Sequence, residues 1–297
     1  MSADRVLFDA PGPAGRRRIR IATVVTVLVL AGLVALAVKQ FGDHGQLAAE
    51  RWTTFGQLSY VRFLWDGLQG TLLAAGVAAL ISFPAGGLFG LMRISVHRWV
   101  RWVAGVYVEL FRAVPLLLLI YAFLLGLPRF GINLPIFWKL VVPIVIVNTA
   151  VLAELVRAGI GAVDRGQSEA GQAIGLRRGQ VLRLIVLPQA VRLIVPTLVT
   201  QLTTLLKDTT LGYVVSYPEL MRQGNNLTVY THLLIQTFVI IAVVYVLINF
   251  ALSQLAHALD RRLARRRVTG GTPDGGARPA SATTVAGDRV APVGQLY

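Results

Sequence analysis

The sequence predicts an all-α integral membrane protein with about six transmembrane helices. Three observations predict it. Apolar residues make up 55% of the chain and charged residues only 14%. The charges fall in clusters, leaving long stretches free of Asp, Glu, Lys and Arg. Those stretches also reach the roughly 20 residues that a helix rising about 1.5 Å per residue needs to cross a core of about 30 Å. A charge at the bilayer centre costs roughly 2.5–3.5 kcal/mol, so such gaps are what a membrane demands. A soluble domain of this length would spread charge over its surface. A lone apolar run satisfies its own backbone in lipid only as a helix.

The six segments are 19–38, 67–92, 99–127, 137–161, 191–215 and 233–256. The first follows a basic stretch, as a signal peptide would, but it has spanning length and no A-x-A pattern at its end, which reads as a retained helix. Pro and Gly interrupt several of the others: Pro84, Gly86 and Gly87 in the second, Pro115 in the third, Pro143 in the fourth and Pro196 in the fifth. Two readings of these stand side by side: kinks that serve packing, or helices broken where protein or water meets the freed carbonyls.

The net charge of +15 invites nucleic acid as a partner, but that requires a basic face on a folded soluble domain. Here the arginines lie between apolar spans, as in Arg16, Arg17, Arg18 and Arg20, or Arg261, Arg262, Arg265, Arg266 and Arg267. They therefore orient the chain in the membrane. With both termini in the cytoplasm, the inner segments carry most of the arginines. This gives an N-terminal cytoplasmic tail at 1–18, a transmembrane region at 19–258, and a C-terminal cytoplasmic tail at 259–297. The last of these is rich in Gly, Ala, Pro, Thr and Ser beyond about residue 268 and is expected to be disordered. Cysteine is absent and the four histidines lack ligand spacing, so neither a disulfide framework nor a metal centre is expected.

The segment 164–188, between the fourth and fifth spans, reads as two short helices joined at a glycine. Asp164 is placed to cap the first helix, with Gln167 three residues on to complete a capping box. Ala170, Ala173 and Ile174 share one face as a small apolar knob. Gly175 can adopt the left-handed conformation that ends a helix. A second helix then leads through Ile185 and Leu187 to Pro188, which starts the next span. Such a rigid hairpin suits docking in another protein's groove.

This loop resembles the E-A-A-x-x-x-G-x9-I-x-L-P signature of permease subunits of ABC importers, through Glu169, Ala170, Gly175, Ile185, Leu187 and Pro188. Gly171 stands where the family most often has Ala. Three further stretches are similar to polar amino acid permeases: Glu109-Leu-Phe-Arg112-Ala-Val-Pro115, Ala153-Glu154-Leu-Val-Arg157-Ala-Gly159, and Leu206-Lys207-Asp208-Thr209-Thr210-Leu211. Together they cover residues 67–255, with a texture closest to glutamate-type permeases. The resemblance implies a type I ABC importer permease fold with its core at 67–256. It also implies a bacterial plasma-membrane location and no enzymatic activity in this chain. The implied partners are an ATP-binding cassette ATPase that seats the loop and carries the ATP and magnesium, an extracytoplasmic solute-binding protein, and an identical or sister permease. No cofactor is expected on the chain itself, which has no G-x-x-x-x-G-K-[ST] loop for ATP.

Charges at membrane depth are costly unless paired or wet. Glu109 and Arg112 lie one turn apart and can pair, as can Glu154 and Arg157. Either they fix helix positions, or one member of a pair faces the translocation path. In the fifth span Gln201, Thr204 and Asp208 share a polar face, with Lys207 beside it and Asn148 and Thr149 opposite on the fourth. A zwitterionic amino acid needs an acceptor for its ammonium and a donor for its carboxylate, which Asp208 and Lys207 could supply. A structural ion pair between them explains them equally well. A secondary transporter leaves the 164–188 loop without a role. An intramembrane enzyme would need a catalytic motif that is absent. Within the importer reading, glutamate or glutamine leads, with a basic amino acid or another small solute as the alternative.

Overall fold

The computed structural model describes residues 12–268, and in that range every regular element is a helix. The main elements are α1 (Pro13–Asp43), α2 (Ala49–Thr53), α3 (Leu58–Arg93), α4 (Arg98–Ala113), α5 (Leu116–Tyr121), α6 (Ile136–Gly161), α7 (Arg165–Ala173), α8 (Arg178–Val181), α9 (Leu187–Asp208), α10 (Leu220–Thr231) and α11 (Leu234–Val268). Five helical stretches are long and apolar enough to span a membrane, or six when the bent pair Arg98–Ala113 and Leu116–Phe130 is taken as one span.

That bent pair is the expected third span, and it turns through 96° rather than running straight. Pro115 has no N–H to continue the ladder, and its ring pushes the residue before it out of the helical region. Val114 is accordingly extended, with φ −79° and ψ 124°. Pro84, Pro143 and Pro196 sit inside helices that continue past them.

Where the tails are described both are helical, and the disorder expected from residue 259 does not hold over 259–268. Residues 13–18 belong to α1, with Pro13 at the first helical position, where its missing N–H costs nothing. Residues 259–268 continue α11, because that stretch holds strong helix formers and neither Gly nor Pro. The remainder of each expected tail, 1–11 and 269–297, lies outside the described residues.

In lipid the hydrophobic effect does not drive helices together, so association depends on close packing. The buried face of α3 is a ridge of small residues: Gly67, Thr71, Ala74, Ala75, Ala78, Ser82, Gly86 and Gly90. Through Gly86 and Gly90 it presses on α6, the most buried span, while Gly67 meets Leu220 and Gln223 of α10. A Cβ on Gly90 would stand 2.6 Å from Val156 Cβ and 2.9 Å from the Ala153 carbonyl oxygen, and one on Gly86 would collide with Leu152 Cβ. Leu140, Ile144, Leu205 and Ile120 fill the core around this seam. By contrast, no residue of α1 is buried. The loop that follows it is tied to the bundle by the Gln236 amide, which donates to the Gln46 carbonyl at 2.6 Å.

Between the last two spans lies α10, a helix absent from the sequence expectation. Its cap, Glu219, is 0% exposed. The Glu219 carboxylate accepts from the backbone N–H groups of Met221 (2.7 Å) and Arg222 (2.6 Å) and from the Tyr245 hydroxyl (3.4 Å). Thr71 Oγ1 accepts from Leu220 N–H at 3.0 Å, and Tyr217 donates to the Gly70 carbonyl at 3.2 Å, which sews this loop to α3. The Arg222 guanidinium is turned onto the Tyr213 ring, and no cation stands within ion-pair distance of Glu219 among the described residues. Burial therefore outweighs the hydrogen bonds and pushes the Glu219 carboxyl up to about 7.

Two expectations follow. Gly86→Leu forces a branched side chain into backbone contact and should lower stability by about 1–3 kcal/mol, read as an earlier thermal unfolding midpoint of the purified protein. An acid whose folded value lies above its unfolded value stabilises least when ionised. The unfolding midpoint should therefore fall as the pH rises from about 5 to about 8, and Glu219→Gln should remove most of that slope. A midpoint that is flat in the wild type, or equally sloped in the variant, would count against the buried-acid account.

Candidate coupling hairpin and polar path

The hairpin is built from local rules. Asp164 Oδ1 accepts from Gly166 N–H at 2.7 Å and so caps α7. The expected capping box does not close, because the Gln167 side chain is engaged elsewhere. Its Oε1 accepts from Gln189 Nε2 at 3.3 Å, and the same Gln189 amide donates to the Ile185 carbonyl at 3.0 Å. At the other end of α7, Gly175 takes φ +86°. Gly175 N–H donates to Gln172 and Leu176 N–H to Gly171, a Schellman closure that only a residue tolerant of positive φ makes cheaply. The Arg177 N–H is held by Gln180 Oε1 at 2.9 Å as α8 begins.

The two arms meet at Gly171, which is buried. A Cβ there would stand 2.7 Å from Ile185 Cδ1 and 3.0 Å from Val181 Cγ2. The departure from Ala thus lets the arms close more tightly. The expected boundary between the second short helix and the next span does not exist as a break. Residues Arg178–Tyr213 form one continuous stretch, widened to a π turn at Leu182–Val186. Pro188 lacks the N–H that would bond four residues back, and the wider turn accommodates it. Leu187 opens α9 and is half-buried, while Pro188 is exposed. Outward from the hairpin stand Glu169, Ala170 and Ala173, all exposed, with Ile174 at 77% exposure.

The charged residues sort differently from their spacing. Glu109 does not pair with Arg112. It pairs across helices with Arg93, at the end of α3, at 3.2 Å, and Arg93 also reaches Glu154 at 3.6 Å. The Arg93 guanidinium passes over Gly105, where a Cβ would stand 3.0 Å from Nη1. The absent side chain on α4 is what opens this route. Arg157 grips Glu154 with two hydrogen bonds, at 2.9 and 2.5 Å. Arg93 thus links α3, α4 and α6. Sequence spacing gave no sign of it, since its partners lie 16 and 61 positions away.

The polar face of α9 meets α6 at Asn148, which is buried. Asn148 Oδ1 accepts from Gln201 Nε2 at 2.7 Å, and its Nδ2 donates to Asp208 Oδ2 at 3.1 Å and to the Ile144 carbonyl at 3.0 Å. Thr204 instead turns its hydroxyl to the Thr200 carbonyl and stays exposed. Lys207 is exposed and forms no ion pair with Asp208, so the structural-pair reading of these two fails. Adjacent residues on a helix point about 100° apart. Asp208 is left with an amide donor and no cation among the described residues.

Comparison with known proteins finds relatives among membrane permeases. The chain is 33% identical over 240 residues to the glutamate transport system permease protein GluD of Corynebacterium glutamicum, covering 78% of this chain and 88% of that one. It is 35% identical to the probable glutamine ABC transporter permease protein GlnP of Bacillus subtilis, covering 68% and 94%. Its fold superposes on the crystal structure of an amino acid ABC transporter with histidines, with a TM-score of 0.67, 32% identity, and 69% and 96% coverage. Residues 82–265 match one family throughout, and the chain belongs to it: the binding-protein-dependent transport system inner membrane components.

Proposed function

We propose that the chain is the membrane-spanning half of an ATP-driven importer for a polar amino acid, glutamate or glutamine foremost. The observation that carries the proposal is the hairpin: capped at Asp164, closed at Gly175, and leaving Glu169, Ala170, Ala173 and Ile174 exposed among the described residues. Such a surface is built to seat in a partner, which on this reading is a separate ATPase subunit holding ATP and magnesium. Substrate arrives from an extracytoplasmic solute-binding protein. A second permease, identical or a sister, completes the pathway. The chain itself performs no chemistry, and both termini lie in the cytoplasm.

The mechanism is alternating access. Closure of the paired ATPases moves α7 and α8, and the continuous stretch from Arg178 to Tyr213 carries that displacement to Gln201 and Asp208. Asp208, without a cation, is the acceptor for the substrate's ammonium, and exposed Lys207 is a donor for its carboxylate. Both groups occur in every amino acid, so this pair sets the class, and the binding protein selects within it. Relatives named for glutamate and glutamine support those two over a basic amino acid. Glu109, Arg93, Glu154 and Arg157, with Arg112 nearby in sequence, lie toward the inner ends and act as the positional clamp there.

Two outcomes are expected. Glu169→Lys should cut transport-coupled ATP hydrolysis roughly 10- to 100-fold, as loss of an interface hot spot does, with the unfolding midpoint unchanged because the side chain is exposed. Gly175→Pro should cut the coupling likewise, by forbidding the positive φ and removing the N–H that closes α7, at some cost in stability. If the variants keep both the ATPase and the coupling, the hairpin reading fails. Asp208→Asn preserves an acceptor for Asn148 and should leave folding intact while uptake of labelled glutamate and glutamine by the reconstituted complex drops about tenfold or more, the cost of leaving an ammonium unpaired. Unchanged uptake would remove Asp208 from the path.

A further inference from the structure

A cavity of about 840 Å³ lies between the hairpin and the ends of two spans. Its polar lining is Arg165, Ser168 and Gln172 of α7 and Arg178 of α8. Its apolar lining is Ile94 at the end of α3 and Ile160 at the end of α6, with Val181 and Val186 of the second arm of the hairpin. We propose that this cavity seats the headgroup of an anionic phospholipid of the inner leaflet, with its phosphate between Arg165 and Arg178 and the start of its acyl chains on the apolar side.

Charge supports this first. Arg165 and Arg178 are exposed, and neither forms an ion pair among the described residues, whereas Arg93 and Arg157 both do. The nearest acid in sequence, Asp164, already accepts from the Gly166 N–H. Two unneutralised guanidinium groups beside a hydroxyl and an amide match a phosphodiester, which arginine can grip with two parallel bonds. Depth supports it next. The cavity opens where α3 and α6 stop, the level at which headgroups meet the hydrocarbon core, and the cytoplasmic leaflet is the anionic one. Its mixed lining suits an amphiphile better than a free anion, which would gain nothing from Ile94, Ile160 and Val186.

The partner ATPase is not the natural occupant. Arg165, Ser168 and Gln172 recur at i, i+3 and i+7 along one face of α7. Glu169, Ala170 and Ala173 centre about a third of a turn away. Docking through the second face leaves the first open to the membrane. A lipid held there ties α7 and α8 to the inner ends of α3 and α6, so the leaflet's composition would act on the element that receives the ATPase stroke. The proposal rests on the orientation and hairpin reading given above.

The test is native mass spectrometry of the intact permease–ATPase complex, delipidated and then exposed to vesicles of phosphatidylglycerol or phosphatidylcholine. The wild type should retain phosphatidylglycerol in preference. An R165Q/R178Q variant should lose that retention by about 10- to 30-fold, the worth of two arginines near an anionic surface, and R165K/R178K, which keeps the charge without the two parallel bonds, should restore only part of it. The charge-matched control R17Q/R18Q, on α1, should keep it. Gln172→Trp, which fills the cavity without removing charge, should lower retention as well and guards against misfolding of the double variant. Equal retention of the two lipids, equal loss in the control, or release of the lipid by inorganic phosphate alone would each overturn the proposal. So would a photocrosslink from position 168 to the ATPase instead of lipid. Failure of the underlying reading looks different: the ATPase would then survive Glu169→Lys, whatever the lipid does.

Discussion

The architecture depends on how closely α3 and α6 approach. Nothing about lipid favours burying Leu against Leu, so a helix pair in the membrane gains only what van der Waals contact and hydrogen bonds supply. Gly86 and Gly90 let the α6 side chains Leu152 and Val156 rest nearly on the α3 backbone. That contact fixes the rotation of α6, and this rotation aims Asn148 at α9. It also stations Glu154 where Arg93, the last residue of α3, can reach it. The seam between two helices thus sets both the polar path and the charged clamp, although none of its small residues is chemically active.

From that seam the structure separates two kinds of charge. Glu109, Glu154 and Arg157 are satisfied by ion pairs that cross or staple helices, and Arg93 links two of the acids. A charge so paired positions a helix and has little left for a passing ligand. Among the described residues Asp208 receives only an amide, and Lys207, about 100° round the helix, forms no ion pair with it. The difference follows from the positions they occupy. Residues three or four apart on a helix can meet, and neighbours in sequence cannot.

Much of this was legible in the sequence, and the parts that were not share a cause. The spans follow from hydropathy and the hairpin from caps and a glycine, because each depends on residues within about one turn of each other. The polar face of α9 was also readable, and its partner Asn148 was a fair guess. The Arg93 bridge, the α10 helix and the Glu219 cap depend on contacts between residues far apart in the chain, such as Thr71 with Leu220. Local reasoning assigned Glu109 to Arg112 because it sees only one helix. It also missed that a glycine on that helix, Gly105, clears the way for a partner from another. The 96° bend was foreshadowed by Pro115, but a proline alone does not state whether a helix kinks or turns a corner.

The π turn at Leu182–Val186 bears on how a hairpin can drive a path at a distance. A hairpin joined to α9 by a flexible loop would absorb the movement of its partner. Here α8 runs without a break into α9, and the wider turn answers Pro188 without ending the helix. Gln189 donates both to the Ile185 carbonyl beside that turn and to Gln167 on α7, so both arms of the hairpin are fastened to the same point on α9. Gly171 adds contact between the arms just before it, through Val181 and Ile185. Packed elements of this kind shift as units instead of deforming continuously. On the proposed mechanism, the hairpin, the turn and the polar face of α9 form one lever, which turns against the α3–α6 seam.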